Sequence, residues 1–152
     1  MKILDVLNNE TINVDLKATD KKGILDELVG PIARFAGASH DDLVKVLLER
    51  ERLGSTGIGG GIGIPHGKYR DLDSLVLGFG LSRKGVNFES LDGRPTYIFF
   101  LLMTPENSAG IHLKLLAQIS KLLRDDDVKA RLMQAETAED VLAVIAEQDK
   151  EF

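Results

Sequence analysis

The chain has 152 residues, 43% hydrophobic and 28% charged, with a formal net charge of −5. That fits one globular domain, read here as spanning residues 1–152, long enough to bury most of its apolar surface. The mild acidity and the absence of a basic stripe argue against nucleic-acid binding. There are no cysteines, which excludes disulfides, thiolate metal sites and cysteine nucleophiles. Asp5 and Glu10 interrupt any signal-peptide core, and no apolar run reaches membrane-spanning length, so no membrane insertion and a cytoplasmic location are expected.

In chain order, Asp20 is placed to cap a helix whose apolar positions are Ile24, Leu25, Leu28, Val29 and Ile32. Gly30-Pro31 is expected to kink or divide it, and Gly37 to end it. Ser39 is placed to cap a second helix, with Asp41 and Asp42 in its first turn and Gly54 at its end. A glycine-rich stretch runs from Gly54 to Gly67. Two strands follow. In one, Leu75, Leu77, Phe79 and Leu81 alternate with smaller residues. The other, Tyr97 to Leu102, is apolar throughout and so is expected at the centre of the sheet, covered on both faces.

Between the two strands, Arg83-Lys84-Gly85 and Asp92-Gly93 read as turns. After the loop at Thr104-Pro105-Glu106-Asn107 the chain reads as helical. Asp125-Asp126-Asp127 is an interruption, and Thr137-Ala138-Glu139-Asp140 is a capping box before the last helix. The expected fold class is α/β: a single layered domain with a mixed β-sheet flanked by helices on both faces.

The chemistry concentrates in the stretch from Gly54 to Lys68, where half of positions 54–67 are glycine. A turn leading into a tightly packed strand would also account for such a density. Neither nucleotide-binding pattern fits. No G-x-G-x-x-G occurs, Gly67-Lys68 is followed by Tyr69 instead of Ser or Thr, and Ile62 stands where a P-loop has its first glycine.

His66 remains, between Pro65 and Gly67. Ile62 and Ile64 suggest a strand that delivers the imidazole at its end, Pro65 fixes the backbone before it, and Gly67 is expected to leave the ring open to a large partner. A histidine nucleophile needs an unprotonated nitrogen near neutral pH and an open approach. A surface-turn histidine without a role is the plain alternative.

The run Leu53-Gly54-Ser55-Thr56-Gly57-Ile58-Gly59, followed by Ile62-Gly63-Ile64-Pro65-His66-Gly67-Lys68, resembles the active-site signature of fructose/mannitol-type enzyme IIA domains. These belong to the bacterial phosphoenolpyruvate-dependent phosphotransferase system, and the similarity is greatest to the nitrogen-regulatory branch. It extends from Leu4-Asp5-Val6-Leu7 to the last helix near Ile145. It implies a phosphotransferase component that carries phosphate on His66 Nε2, with Ser55, Thr56 and Gly67 in the active-site loop. It also implies HPr or an HPr-like carrier as donor. The onward partner is a separate enzyme IIB in sugar-type relatives, or a regulatory target; this chain has no cysteine and hence no IIB of its own.

Two further residues match the family positions. Arg50 stands where an arginine precedes the active histidine; a guanidinium can pair with phosphate oxygens bidentately. Arg52 is the competing choice, since one of the two must face water. His112 matches a second histidine near a helix start. Its spacing with Leu116, Ile119 and Leu123 is equally that of a buried helix face.

Gly63 replaces the usual alanine, a change expected to loosen the strand, and Gly60 replaces a polar or acidic residue. No cofactor is implied. A metal-dependent hydrolase built on His66 and His112 is the competing enzyme class, although no metal-spaced cluster is evident.

Overall fold

A computed structural model describes residues 1–152. A short 3₁₀ turn, Ile3–Asp5, leads into β1 (Leu7–Asn13) and α1 (Lys21–Ala36). Next come α2 (His40–Arg52), β2 (Gly57–Gly59), β3 (Ile62–Gly63) and β4 (His66–Lys68). The long strands β5 (Val76–Val86) and β6 (Thr96–Thr104) precede α3 (Ala109–Leu122), α4 (Asp126–Met133) and α5 (Ala138–Gln148).

The strands form one mixed sheet in the order β1-β5-β6-β3-β2, and β4 also pairs with β6. β5 and β6 are antiparallel, whereas β1 runs parallel to β5, and β3 and β4 run parallel to β6. β6 is thus central, as its unbroken apolar run predicts. Its side chains alternate faces. Ile98, Phe100 and Leu102 join the core under α3, α4 and α5. Phe99, Leu101 and Met103 join the core under α1 and α2. The expected layered α/β architecture is therefore present, with a separate apolar core on each face of the sheet.

The helix caps follow the sequence. Asp20 accepts from the Gly23 amide, Ser39 from Asp42, and Gly37 closes α1 in the left-handed region with φ 66°. Asp125 caps α4 by accepting from the Asp127 and Val128 amides, and Thr137 forms its box with Asp140.

Two expectations are corrected, and one strand was not foreseen. Pro31 does not divide α1, which runs from Lys21 to Ala36 with the proline inside it. Proline removes one backbone donor. Burial of Ile24, Leu25, Leu28, Val29, Ile32 and Ala33 on both sides of it holds the helix together. Arg83-Lys84-Gly85 is not a turn. It lies inside β5, where the pairing with β6 slips between Leu81 and Val86 and Gly85 takes φ 83°, an irregularity within the ladder. The N-terminal strand β1 has no apolar alternation to announce it. Only Leu7 and Thr11 are buried there, and Thr11 Oγ1 ties the strand to the Leu77 carbonyl at 2.8 Å.

The small residues alternating along β5 face α1. A Cβ on Gly80 would lie 2.5 Å from Leu28 Cδ2 and 2.7 Å from Leu16 Cδ1. Gly80→Ala is therefore expected to destabilise the protein by about 1–3 kcal/mol through overpacking, read as a lower urea midpoint with an unchanged m-value.

Candidate functional site

His66 opens β4, opposite Leu102 of β6. β3 ends at Gly63 and β4 begins at His66, so the imidazole stands at the start of a second short strand, not at the end of a continuous one; between them the Pro65 carbonyl accepts from the Leu102 amide at 3.0 Å. The Ile64 carbonyl lies 2.7 Å from His66 Nδ1. A carbonyl oxygen can only accept, so Nδ1 carries the proton and Nε2 of the neutral ring keeps its lone pair.

Burial, reinforced by the positive charge of Arg50, holds the His66 pKa below the ordinary imidazole value of 6.5 against the opposing pull of the Ile64 carbonyl and Glu51. The half-buried ring is unprotonated at neutral pH. A nucleophile needs that state.

The ring borders an open cleft of about 530 Å³ between α2, β4 and the start of α3. Arg50, His112, Lys68, Glu49, Val46 and Leu53 are among its walls. Arg50, not Arg52, faces this cleft; Arg52 lies on the other side of α2 near Lys21 and Glu89. Arg50 Nη1 donates to the Gly54 carbonyl at 2.9 Å, which anchors one edge of the guanidinium. The two arginines separate because Arg50 follows Val46 by one helical turn on the cleft side.

His112 lies in the first turn of α3 and is 6% exposed. Both readings of its sequence position hold. It is buried and satisfied, with Nδ1 2.8 Å from Thr104 Oγ1. It also walls the cleft, its ring centroid 5.4 Å from that of His66 at an interplanar angle of 67°. Burial, with smaller contributions from His66 and Lys68, pushes its pKa down to about 4. Ser108 makes no side-chain cap at the start of α3, and Ala109 borders the cleft, so first-turn amides are without an internal acceptor beside the two rings.

Ser55 and Thr56 do not border the cleft. Thr56 is buried and bound through both its amide and Oγ1 to the Glu51 carboxylate. Ser55 Oγ donates to the Phe88 carbonyl at 3.1 Å. They fasten the loop beneath Arg50. Glu51 itself was not anticipated from sequence. It is buried with Lys21 Nζ 3.0 Å away, and its spacing of four from Leu47 and eight from Leu43 is the signal that could have marked it.

Gly67 lines the cleft beside His66. The space a Cβ would fill holds Val46 Cγ1, only 2.7 Å from it, so the glycine also lets α2 pack onto β4. Gly63 does not loosen its strand. Phe99 Cδ1 and Thr96 Cγ2 fill its place, 3.1 and 3.3 Å from where a Cβ would stand. Gly60, with Gly59 and Gly61, has positive φ and forms the β2–β3 turn.

Over residues 5–148 the chain matches the family model described as phosphoenolpyruvate-dependent sugar phosphotransferase system, EIIA 2. It belongs to that family. A nitrogen regulatory protein of Bradyrhizobium diazoefficiens is 39% identical over 146 residues, 96% of this chain and 95% of that protein. A fructose-specific EIIA component of the phosphotransferase system from Haloferax volcanii is 34% identical over 143 residues, 91% and 92% of the two chains. The crystal structure of nitrogen regulatory protein IIA-Ntr from Neisseria meningitidis superposes with a TM-score of 0.88 at 33% identity, covering 93% of this chain and 97% of that one. The protein is thus an enzyme IIA, a phosphotransferase component that carries phosphoryl groups. No helix is long and apolar enough to cross a membrane.

The low His112 pKa sets a pH dependence for this enzyme IIA. The unfolded chain takes up a proton at this residue near pH 6.5, and the folded protein only near pH 4. Between those values the unfolded state binds more protons, so stability rises with pH and falls on acidification. The expected loss from this residue is up to about 3 kcal/mol. Urea midpoints compared between pH 7.5 and pH 4.5 should fall less in a His112→Gln variant than in the parent.

Proposed function

We propose that His66 is the phosphorylated residue of this enzyme IIA, that it accepts phosphate from HPr or an HPr-like carrier, and that the phosphorylated state serves chiefly as a regulatory signal. The hydrogen bond from His66 Nδ1 to the Ile64 carbonyl supports the first part most strongly, because it leaves Nε2 as the free nucleophile at the cleft.

Phosphoryl transfer passes through a loose, in-line transition state, so the protein's contribution is positioning and charge stabilisation. Nε2 of His66 bonds to phosphorus as the P–N bond to the donor ring breaks, and the bonding pair of the broken bond stays on the donor imidazole. The positive charge that develops on the His66 ring is shared by Nδ1–H with the Ile64 carbonyl. Arg50, held by Gly54, offers its unanchored edge to the equatorial oxygens. His112 and the first-turn amides of α3 lie on the opposite side. Exchange between two imidazoles makes and breaks similar bonds, so the step runs readily in both directions.

The donor is read as a protein because the cleft is open and apolar at its rim. Leu53 and Leu113, 85% and 66% exposed, stand at its edge. Exposed apolar residues grouped at a reactive centre suit a protein interface. The regulatory reading draws on the nitrogen regulatory relatives, which the chain matches almost end to end. A phosphoryl group adds negative charge and acceptor oxygens to that rim, enough to change a partner's affinity. The alternative is a sugar-uptake component that donates to a cysteine on a separate enzyme IIB, and the fructose-specific relative supports it. For a metal-dependent hydrolase the two imidazoles lack companions, since no group of three or more His, Asp or Glu side chains is arranged to hold a metal ion.

Incubation with phosphoenolpyruvate, enzyme I and HPr should give acid-labile, alkali-stable phosphate on the protein. His66→Ala should carry none, and labelling of that variant would refute the assignment. Arg50→Gln should slow labelling by about 10²-fold while leaving the urea midpoint nearly unchanged, the loss expected for one stabilising donor.

A further inference from the structure

Thr104 is the last residue of β6 and is fully buried. Alternation along the strand puts it on the same face as Leu102, which packs under α3. The pairing of His66 with Leu102 puts the His66 side chain on that face too. The end of β6 therefore meets the first turn of α3 directly beneath the two imidazoles. The only hydrogen-bond partner of Thr104 Oγ1 is His112 Nδ1, at 2.8 Å.

That single contact decides where the His112 proton sits. A threonine hydroxyl has one hydrogen to donate. If His112 Nδ1 carried a proton, Oγ1 would accept it, and the hydroxyl hydrogen would be left in the core with no acceptor. An unsatisfied buried donor is costly. If Nδ1 is bare, the hydroxyl donates to it and both groups are satisfied.

We infer that Thr104 is a positioning residue for phosphoryl transfer: its hydroxyl donates to His112 Nδ1, fixes the Nε2–H tautomer and so turns a hydrogen-bond donor toward the cleft. The inference rests on His66 being the phosphoryl acceptor.

The result is a complementary pair of rings. Backbone chemistry fixes His66 as Nδ1–H, with Nε2 free to attack. Side-chain chemistry fixes His112 the other way, with Nε2–H free to donate to a phosphoryl oxygen. His112 also stays neutral, so it keeps one defined donor and does not add a second positive charge to be desolvated beside Arg50. A Thr104→Val variant keeps the shape of the side chain and loses the hydroxyl. His112 then has no neighbour that prefers either tautomer, and part of the population presents a lone pair to the phosphoryl group.

The test joins a spectroscopic and a kinetic measurement. In the wild-type protein, ¹⁵N NMR of the histidine rings should show His112 as the Nε2–H tautomer and His66 as Nδ1–H. Thr104→Val should give a tautomer mixture at His112 and slow phosphoryl transfer from phospho-HPr by about ten-fold, with labelling still confined to His66. Thr104→Ser, which retains the hydroxyl, should restore both the rate and the tautomer. A wild-type His112 protonated on Nδ1 would overturn the inference even if the valine variant fails to fold. So would a folded Thr104→Val protein transferring phosphate at the wild-type rate. Absence of labelling in the wild type would instead defeat the assignment of His66 and leave the tautomer result standing by itself.

Discussion

The reactive edge of the cleft depends on one short hydrogen bond, from His66 Nδ1 to the carbonyl of Ile64 two residues earlier. It sets the tautomer, so it decides which nitrogen keeps a free lone pair, and it holds the ring in place at the open edge of the sheet. The Ile64 carbonyl is available to the imidazole because it takes no part in the ladder to β6: there the Leu102 amide donates to the Pro65 carbonyl at 3.0 Å, while the Ile64 amide donates to the Thr56 carbonyl. His66 then resumes pairing with β6 in a fixed register opposite Leu102.

The surroundings serve to keep that edge where it is. α2 lies close to β4 because Gly67 leaves room for Val46, and this brings Arg50 to the same cleft as His66. The loop between α2 and the histidine is fastened from below. Buried Glu51 binds Thr56 and pairs with Lys21 from α1, and Ser55 binds the Phe88 carbonyl. Breaking a buried ion pair by removing one partner is strongly destabilising. The loop is therefore rigid in the part that carries Gly54, the anchor of Arg50. On the opposite face α3 brings His112 over Thr104. Two helices from different layers meet at one strand end, and each brings one side chain, Arg50 or His112, to the cleft beside His66.

Much of this was legible in the chain. The caps at Asp20, Ser39 and Thr137 are local hydrogen bonds between a side chain and an amide three residues on, so they follow from neighbouring residues alone. The central position of β6 follows from a run apolar on both sides of the pleat. The Arg83-Lys84-Gly85 segment was misread because glycine marks positive φ without saying whether the chain turns there or merely slips its register within a strand. Strand β1 was invisible because only Leu7 and Ile12 of it meet the core, too few for an alternating pattern, and a threonine hydroxyl makes its other buried contact. The resemblance to the family signature implies Ser55 and Thr56 in the active-site loop, yet their side chains turn inward, because the loop is tied to Phe88 and Glu51.

The sequence by itself determined the layered α/β class, the helices with their caps, the family and the chemical types at the cleft: an imidazole after a proline, an arginine at a helix end, a second imidazole at a helix start. These are properties of short stretches and of composition, set by local hydrogen bonding and the period of apolar residues. Only the tertiary structure decided which nitrogen of His66 is free, that Arg50 and not Arg52 faces it, and that Gly67 makes room for Val46. It also showed that His112 is both buried and at the cleft wall, resting on Thr104. Each of those depends on atoms from segments far apart in sequence meeting at one sheet edge, and no local pattern encodes the distance between them.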